Sequence, residues 1–202
     1  MNIRPGVQRR VLGFDLENRP SAYWYDGATT AEITALAWKW TDEKTCRTLL
    51  LQPDGTFLAD DGDSLDVGVA YVVFRDVLCS AGLIFGHNIR RHDLPMFQTG
   101  LLRLELPPLP PLLTSDTLRD LPTRKDMSAS LDSLADMYRL GKPKMHMSQP
   151  MWERANKLLP EGMEDARKRC VSDVLLQERL RGKLLELDLL GGPQMWRPRR
   201  GA

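Results

Sequence analysis

Asp15 and Glu17 stand two positions apart in the apolar run Arg-Val-Leu-Gly-Phe-Asp-Leu-Glu, residues 10–17. In a strand, alternate side chains point to the same side of the sheet, so both carboxylates project from one face. Like charges held that close repel unless a cation or a proton shares the site, and paired carboxylates suit a hard divalent ion such as Mg2+ or Mn2+. The plainer alternative is a strand end that reaches solvent. A second group, Gly86-His87-Asn88-Ile89-Arg90-Arg91-His92-Asp93, follows the apolar triplet Leu83-Ile84-Phe85. It places Asn88 and Asp93 in a strand-to-helix connection, where α/β proteins commonly build their sites. Capping the helix is the other role open to Asp93. A third acid, Asp173, falls on the same side of the last predicted helix as Cys170, Leu180 and Leu184. An acid beside an apolar stripe needs a partner, either a metal or an arginine such as Arg169 or Arg179.

The elements that must position these groups follow from periodicity and breakers. Residues 10–16 read as a strand that Asn18-Arg19-Pro20-Ser21 ends with turn chemistry. Residues 33–40 and 45–52 read as an antiparallel hairpin, and 54–66 as an acidic, glycine-bearing loop. Helical spacing covers 67–80, a buried strand 83–85, a second helix 94–104, and a short strand 113–117 after the rigid Pro-Pro-Leu-Pro-Pro-Leu connector. A third helix over 130–139 has Ser130 as its N-cap, residues 142–151 are irregular, and 161–187 form a long closing helix. A strand and hairpin followed by alternating helix and strand predict a mixed sheet flanked by helices rather than a doubly wound parallel one. No G-x-G-x-x-G follows the first strand and no G-x-x-x-x-G-K-[ST] exists, so a nucleotide cofactor has no cradle.

Taken in order, these residues resemble the DEDD superfamily of 3′→5′ exonucleases. The matching segments are Phe-Asp-Leu-Glu (14–17), His-Asn-Ile-Arg-Arg-His-Asp-Leu-Pro-Met-Phe (87–97) and Cys-Val-Ser-Asp-Val (170–174). The second is similar to the exonuclease domain of family B DNA polymerases. Asp116-Thr117 and the run from Ser130 to Leu140 resemble the stretch such enzymes place between their second and third motifs. The resemblance implies a ribonuclease H-like α/β domain over residues 8–190, with its first three strands antiparallel and later ones parallel, and a basic flexible tail over 191–202. It implies Asp15, Glu17, Asp93 and Asp173 as the catalytic acids holding two ions, Mg2+ or Mn2+. One ion would generate a hydroxide-like nucleophile and the other would stabilise the leaving 3′ oxygen. Asn88 is expected near the substrate end, and Leu16 and Phe97 either against terminal bases or in the core. The implied activity is removal of nucleoside monophosphates from the 3′ end of single-stranded DNA, with RNA as the alternative substrate and a DNA polymerase or replisome component as partner.

One departure stands out. Members of that superfamily carry a Tyr or a His one turn or so before the last Asp, and this chain has Arg169 and Lys168 there. Neither is a natural base at neutral pH. Three readings stay open: slower chemistry with metal-activated water alone, a replacement base with His92 the first choice, or a catalytically silent module that binds nucleic acid or docks on a polymerase. Arg169 also suits contact with the scissile phosphate.

Composition bounds the rest. The 202 residues suit one domain with an ordinary core, and 28 Lys+Arg against 27 Asp+Glu leave a net charge of +1. No whole-molecule field is available to hold a polyanion, so any such partner must be gripped locally, with Arg90-Arg91-His92, Arg124-Lys125 and the basic 197–200 stretch as candidates. Lys142-Pro-Lys-Met-His-Met lacks the ligand count of a closed metal centre and reads as a contact loop. Cys46, Cys79 and Cys170 are scattered, which argues against a disulfide framework and for a reducing compartment. With no signal-peptide stretch and no membrane-length apolar run, the expected location is the cytoplasm.

Overall fold

The structure is a computed structural model that describes residues 10–22, 30–122, 128–141 and 145–198. In β1 (Val11–Ala22), Leu12, Phe14 and Leu16 point to one side of the sheet, and Gly13, Asp15 and Glu17 to the other. β1 pairs antiparallel with β2 (Thr30–Trp40), and β2 pairs with β3 (Arg47–Leu51). Two short strands, β4 (Phe57–Ala59) and β5 (Ser64–Leu65), continue the antiparallel run through the stretch that reads as an acidic loop. Glycine made these reversals possible, because Gly55 and Gly62 adopt φ of 86° and 91° at the two turns. Asp60 then fastens the run by accepting the Thr48 hydroxyl at 2.6 Å.

The chain next crosses to the other side of β1. Helix α1 (Val67–Ser80), capped by the Asp66 carboxylate on the Gly68 N–H at 2.8 Å, leads to β6 (Leu83–Gly86), parallel to β1. Helix α2 (Asp93–Arg103) leads to β7 (Leu112–Asp116), parallel to β6. Helices α3 (Leu131–Met137, capped by Ser130), α4 (Gln149–Asn156) and α5 (Pro160–Glu186) follow. Within 191–202, which reads as a tail, Gln194–Trp196 form β8, antiparallel to β7, with Trp196 buried. The strand order is β5-β4-β3-β2-β1-β6-β7-β8. This mixed sheet flanked by helices is the ribonuclease H-like α/β arrangement.

The two faces of the sheet are covered differently. Phe14 and its cross-strand partner Trp38 meet Phe74 of α1, and Phe74 meets Phe97 of α2 edge-on at 5.0 Å. Phe97 also stacks on Tyr71 at 5.1 Å, so these rings form the core of one layer. The other face lies under α5, pinned by the Lys39 ammonium on the Glu178 carboxylate at 2.8 Å. Helix α3 backs α5 through Leu131, Leu134, Leu176, Leu180 and Leu184, so this long helix is buried along both flanks.

Residues 18–21 do not turn as their composition suggests. β1 runs on to Ala22, with a register irregularity between Glu17 and Asn18. β6 pairs with β1 only as far as Gly13, so Pro20, opposite Ala31 and next to a register irregularity, lies beyond the β6 pairing, at the kind of edge position where strands tolerate proline. Helix α4 likewise begins inside the stretch expected to be irregular.

Replacing Phe97 by Ala removes a fully buried ring from the contact between α1 and α2. We expect a loss of about 3–5 kcal/mol of folding stability, read as a lower urea midpoint with an unchanged slope.

Candidate functional site

The site arises where β1 outruns its parallel neighbour. β6 ends at Gly86, level with the residue after Gly13, and β1 continues past it through Asp15 and Glu17. Connections on the two sides of β1 diverge at this point, and such a switch point opens a crevice beyond the carboxyl ends of the strands. Asp15 and Glu17 face small partners across the ladder, Ala37 and Ala35, so β2 leaves space above them. Into that space α5 presents Arg169, Asp173 and Gln177, one turn apart on a single helix face.

The carboxylates of Asp15, Glu17 and Asp173 each offer an oxygen within 4.8 Å of the others. Asp173 is 3% exposed and Glu17 9%. Arg169 donates from Nε to Glu17 Oε1 at 2.7 Å and lies 3.9 Å from Asp173 Oδ2. Its guanidinium is held from two further directions, donating to the Met145 carbonyl at 3.1 Å and lying over the Trp152 ring at 5.2 Å. Gln177 donates its amide to Asp15 Oδ1 at 3.0 Å, while the Cys170 thiol donates to the Asp15 carbonyl at 3.3 Å.

Electrostatics follow from this crowding. Burial opposes the charge on Arg169, but Glu17, Asp173 and Asp15 outweigh it and raise its pKa above the ordinary guanidinium value. Burial, then the same three acids, pushes the Cys170 thiol well up, which keeps it a hydrogen-bond donor and not a nucleophile. Among the described residues three carboxylates meet one guanidinium, an excess of negative charge of the sign that a divalent cation balances. Hard oxygen donors at this spacing suit a divalent cation, and the buried Gln177 Oε1, with no hydrogen-bond partner, adds a further hard oxygen at the edge of the group.

Of the acids read from sequence, three converge and Asp93 stands outside their 4.8 Å set among the described residues. Asp93 comes from a different element: α2 packs through Phe97 on the aromatic side of the sheet, and its first turn reaches the strand ends from the edge, close enough for the charge of Glu17 to be felt at His92. Asp93 is the first residue of α2, 3% exposed, with His92 as the cap and 3.7 Å away. The Asp93 carboxylate beside it raises the His92 pKa against the effect of burial, with the charge of Glu17 adding to the rise. Asn88 takes a left-handed backbone, φ 68°, and its side-chain oxygen accepts from Arg119 at 3.2 Å. Leu16 and Phe97 are core residues at 4% and 0% exposure. A ring without exposed surface has no face to offer a base. Lys168 is exposed and pairs with Glu164, so Arg169 alone of that pair enters the site.

Sequence reasoning missed Gln177, although its spacing from Arg169 and Asp173 by single turns was a readable signal. It also missed the work of Asp116, a fully buried carboxylate that accepts the N–H groups of Asn88 at 2.8 Å and Arg90 at 3.0 Å and so ties down the loop into α2. Arg124, Lys125, Arg199 and Arg200, and residues 142–144 of the contact loop, lie outside the described residues.

Fold and site together define a ribonuclease H-like α/β protein with a buried acidic triad that can hold a divalent cation. Over 92% of its length the chain superposes, with a TM-score of 0.58 and 18% identity, on the family B DNA polymerase from the hyperthermophilic archaeon Pyrobaculum calidifontis. It spans about a quarter (25%) of that polymerase, and at this identity the likeness concerns the fold. No protein-family model and no curated protein sequence matches the chain. Among the described residues, no helix is long and apolar enough to cross a membrane.

An ion that binds the folded triad must stabilise it. With Mn2+ at about a hundred times its dissociation constant, we expect a gain of about 2.7 kcal/mol, read as a melting temperature raised by roughly 5–10 °C. In Asp15→Asn/Glu17→Gln the shift should vanish.

Proposed function

We propose that the chain is a divalent-metal-dependent 3′→5′ exonuclease that removes nucleoside monophosphates from single-stranded DNA. The observation that carries this reading is the meeting of Asp15, Glu17 and Asp173, distant in sequence, at the end of the central strand. The fold shared with part of a DNA polymerase supports nucleic acid as substrate and a polymerase or replisome component as partner. The domain would comprise residues 8–190 together with β8, which completes the sheet beside β7.

In this proposal Asp15, Glu17 and Asp173 are ligands for Mg2+ or Mn2+, and Asp93 serves a second ion from the first turn of α2. Bound ions would supply an activated water and charge stabilisation for the leaving 3′ oxygen. Arg169 is already paired with Glu17 and lies beside Asp173, where a cation would otherwise sit. A second ion requires Arg169 to leave Glu17, and its planar fork is suited to the scissile phosphate. Asn88 lies on the same loop as His92 and Asp93, within reach of a strand end entering over α2.

A second reading, a catalytically silent binding module, is favoured by one specific contact, the Arg169–Glu17 ion pair at 2.7 Å. Incubation of end-labelled single-stranded DNA with Mn2+ separates the two. We expect stepwise shortening from the 3′ end, reduced at least about a hundredfold in Asp15→Ala, since loss of metal-based charge stabilisation is worth several kcal/mol. Cleavage that starts internally, or that Asp15→Ala leaves unchanged, removes the proposal. Strand binding without turnover, with turnover appearing in Arg169→Tyr, establishes the silent module instead. Matched RNA oligonucleotides test the sugar, which a site distinguishes through the 2′-hydroxyl.

A further inference from the structure

A cavity of about 960 Å3 lies between α2 and β8, away from the acidic triad, and none of its lining residues is an acid. Its walls carry Arg90, Arg91, Arg119 and Arg197, together with Gln194 and Trp196. In a chain whose net charge is +1, four arginines around one acid-free opening are a strong local concentration of positive charge. The arginines are not equivalent. Arg90 is structural: its guanidinium is bound by Asp120 and by Gln194 Oε1 at 2.6 Å, and those two residues tie β7 and β8 to the loop before α2. Asp116 and Asp120, the acids that touch Arg90, are buried behind it. Arg91, Arg119 and Arg197 are exposed, so their charge faces the opening.

The cavity does not stop at α2. A second one, about 410 Å3, lies across the first turns of the same helix and shares Arg91, Pro95 and Thr99 with the first. It adds Arg103, with His92 beside it. The two make a continuous cationic track that runs from β8 over α2 and passes beside Asp93. A pocket for one small anion would be closed and short. A track with positive side chains spaced along it matches a ligand that repeats its negative charge, and arginine forks match phosphodiester oxygens.

We infer that this track is a binding path for the phosphodiester backbone of single-stranded nucleic acid upstream of its 3′ end. The inference rests on the nuclease proposal only for the polarity of the strand; the binding itself is tested without catalysis. Anisotropy of a fluorescently labelled oligothymidine, titrated with the full chain in EDTA over a series of salt concentrations, reads both affinity and the number of phosphates engaged. Each backbone contact contributes a slope of about −0.7 to log K against log salt for a single strand. Arg91→Ala/Arg119→Ala/Arg197→Ala is expected to weaken binding at least about tenfold at low salt and to make the slope shallower by about 2. A charge-matched control outside the track, Lys44→Ala/Arg47→Ala/Lys183→Ala, is expected to change neither. Because the three substituted arginines are exposed, the melting temperature should match wild type; replacing the same three by Lys should retain most of the slope. Failure of wild type to bind, an unchanged slope in the track variant, or an equal loss in the control overturns the inference. Binding that depends on the track in a protein that does not cleave would defeat the nuclease proposal and leave this one standing.

Discussion

Three carboxylates gathered within 4.8 Å of one another beneath a helix are the constraint around which the molecule is arranged. At an effective dielectric of about 20, each pair at that separation repels by roughly 3–4 kcal/mol. Water cannot screen this fully, because Asp173 and Glu17 are almost entirely covered. Helix α5 supplies opposing contacts: Arg169 on Glu17, Gln177 on Asp15, and the Cys170 thiol on the Asp15 carbonyl. A helix that supplies both one of the repelling acids and the groups that restrain the others must be held in fixed register. The Lys39–Glu178 pair on one side and the leucine layer with α3 on the other provide that.

Sheet topology decides why such a cluster forms at this place. β1 is central, leaves by hairpin on one side and is rejoined by parallel crossovers on the other, so its last residues extend past β6 without a neighbour there. Backbone and side chains at that overhang are free to meet α5 from one face and the start of α2 from the edge. Gly86 belongs to the same geometry: a Cβ there would lie 2.3 Å from Ile89 Cγ2 and 3.2 Å from Gln177 Oε1, so any larger residue would press on the amide that restrains Asp15. Asp116 completes the arrangement by gathering the N–H groups of the loop that delivers His92 and Asp93.

A near-zero net charge concealed this organisation. Negative charge is concentrated under α5 and positive charge along α2 and β8, and the two regions meet at the first turn of α2. Separation over that distance preserves a local field on each side, which a uniform mixture of the same residues would cancel. Arg169 is the exception, a cation placed inside the negative region and clasped by Met145 and Trp152 as well as by the acids. Its grip from several elements makes it part of the resting architecture of the site.

Much of this was legible in the chain itself. Period-two alternation placed Asp15 and Glu17 on one face opposite Phe14 and Leu16, and helical spacing placed Asp173 beside Cys170, Leu180 and Leu184, because these patterns depend only on neighbours along the backbone. Helix ends at Asp66 and Ser130, and the mixed character of the sheet, followed from the same local rules. Pro20 misled, since a proline reads as a breaker until it is known that β1 has run beyond its pairing with β6 there. β8 and the short strands β4 and β5 were hidden because a few residues acquire strand character only from the partner they pair with. Local sequence therefore determined which residues were acidic, which were apolar and which shared a face. Tertiary structure alone decided that Asp173 would come within 4.8 Å of Asp15 and Glu17 while Asp93 fell outside that set, and that Arg169 would turn inward, because distances between elements are set by packing and not by spacing along the chain.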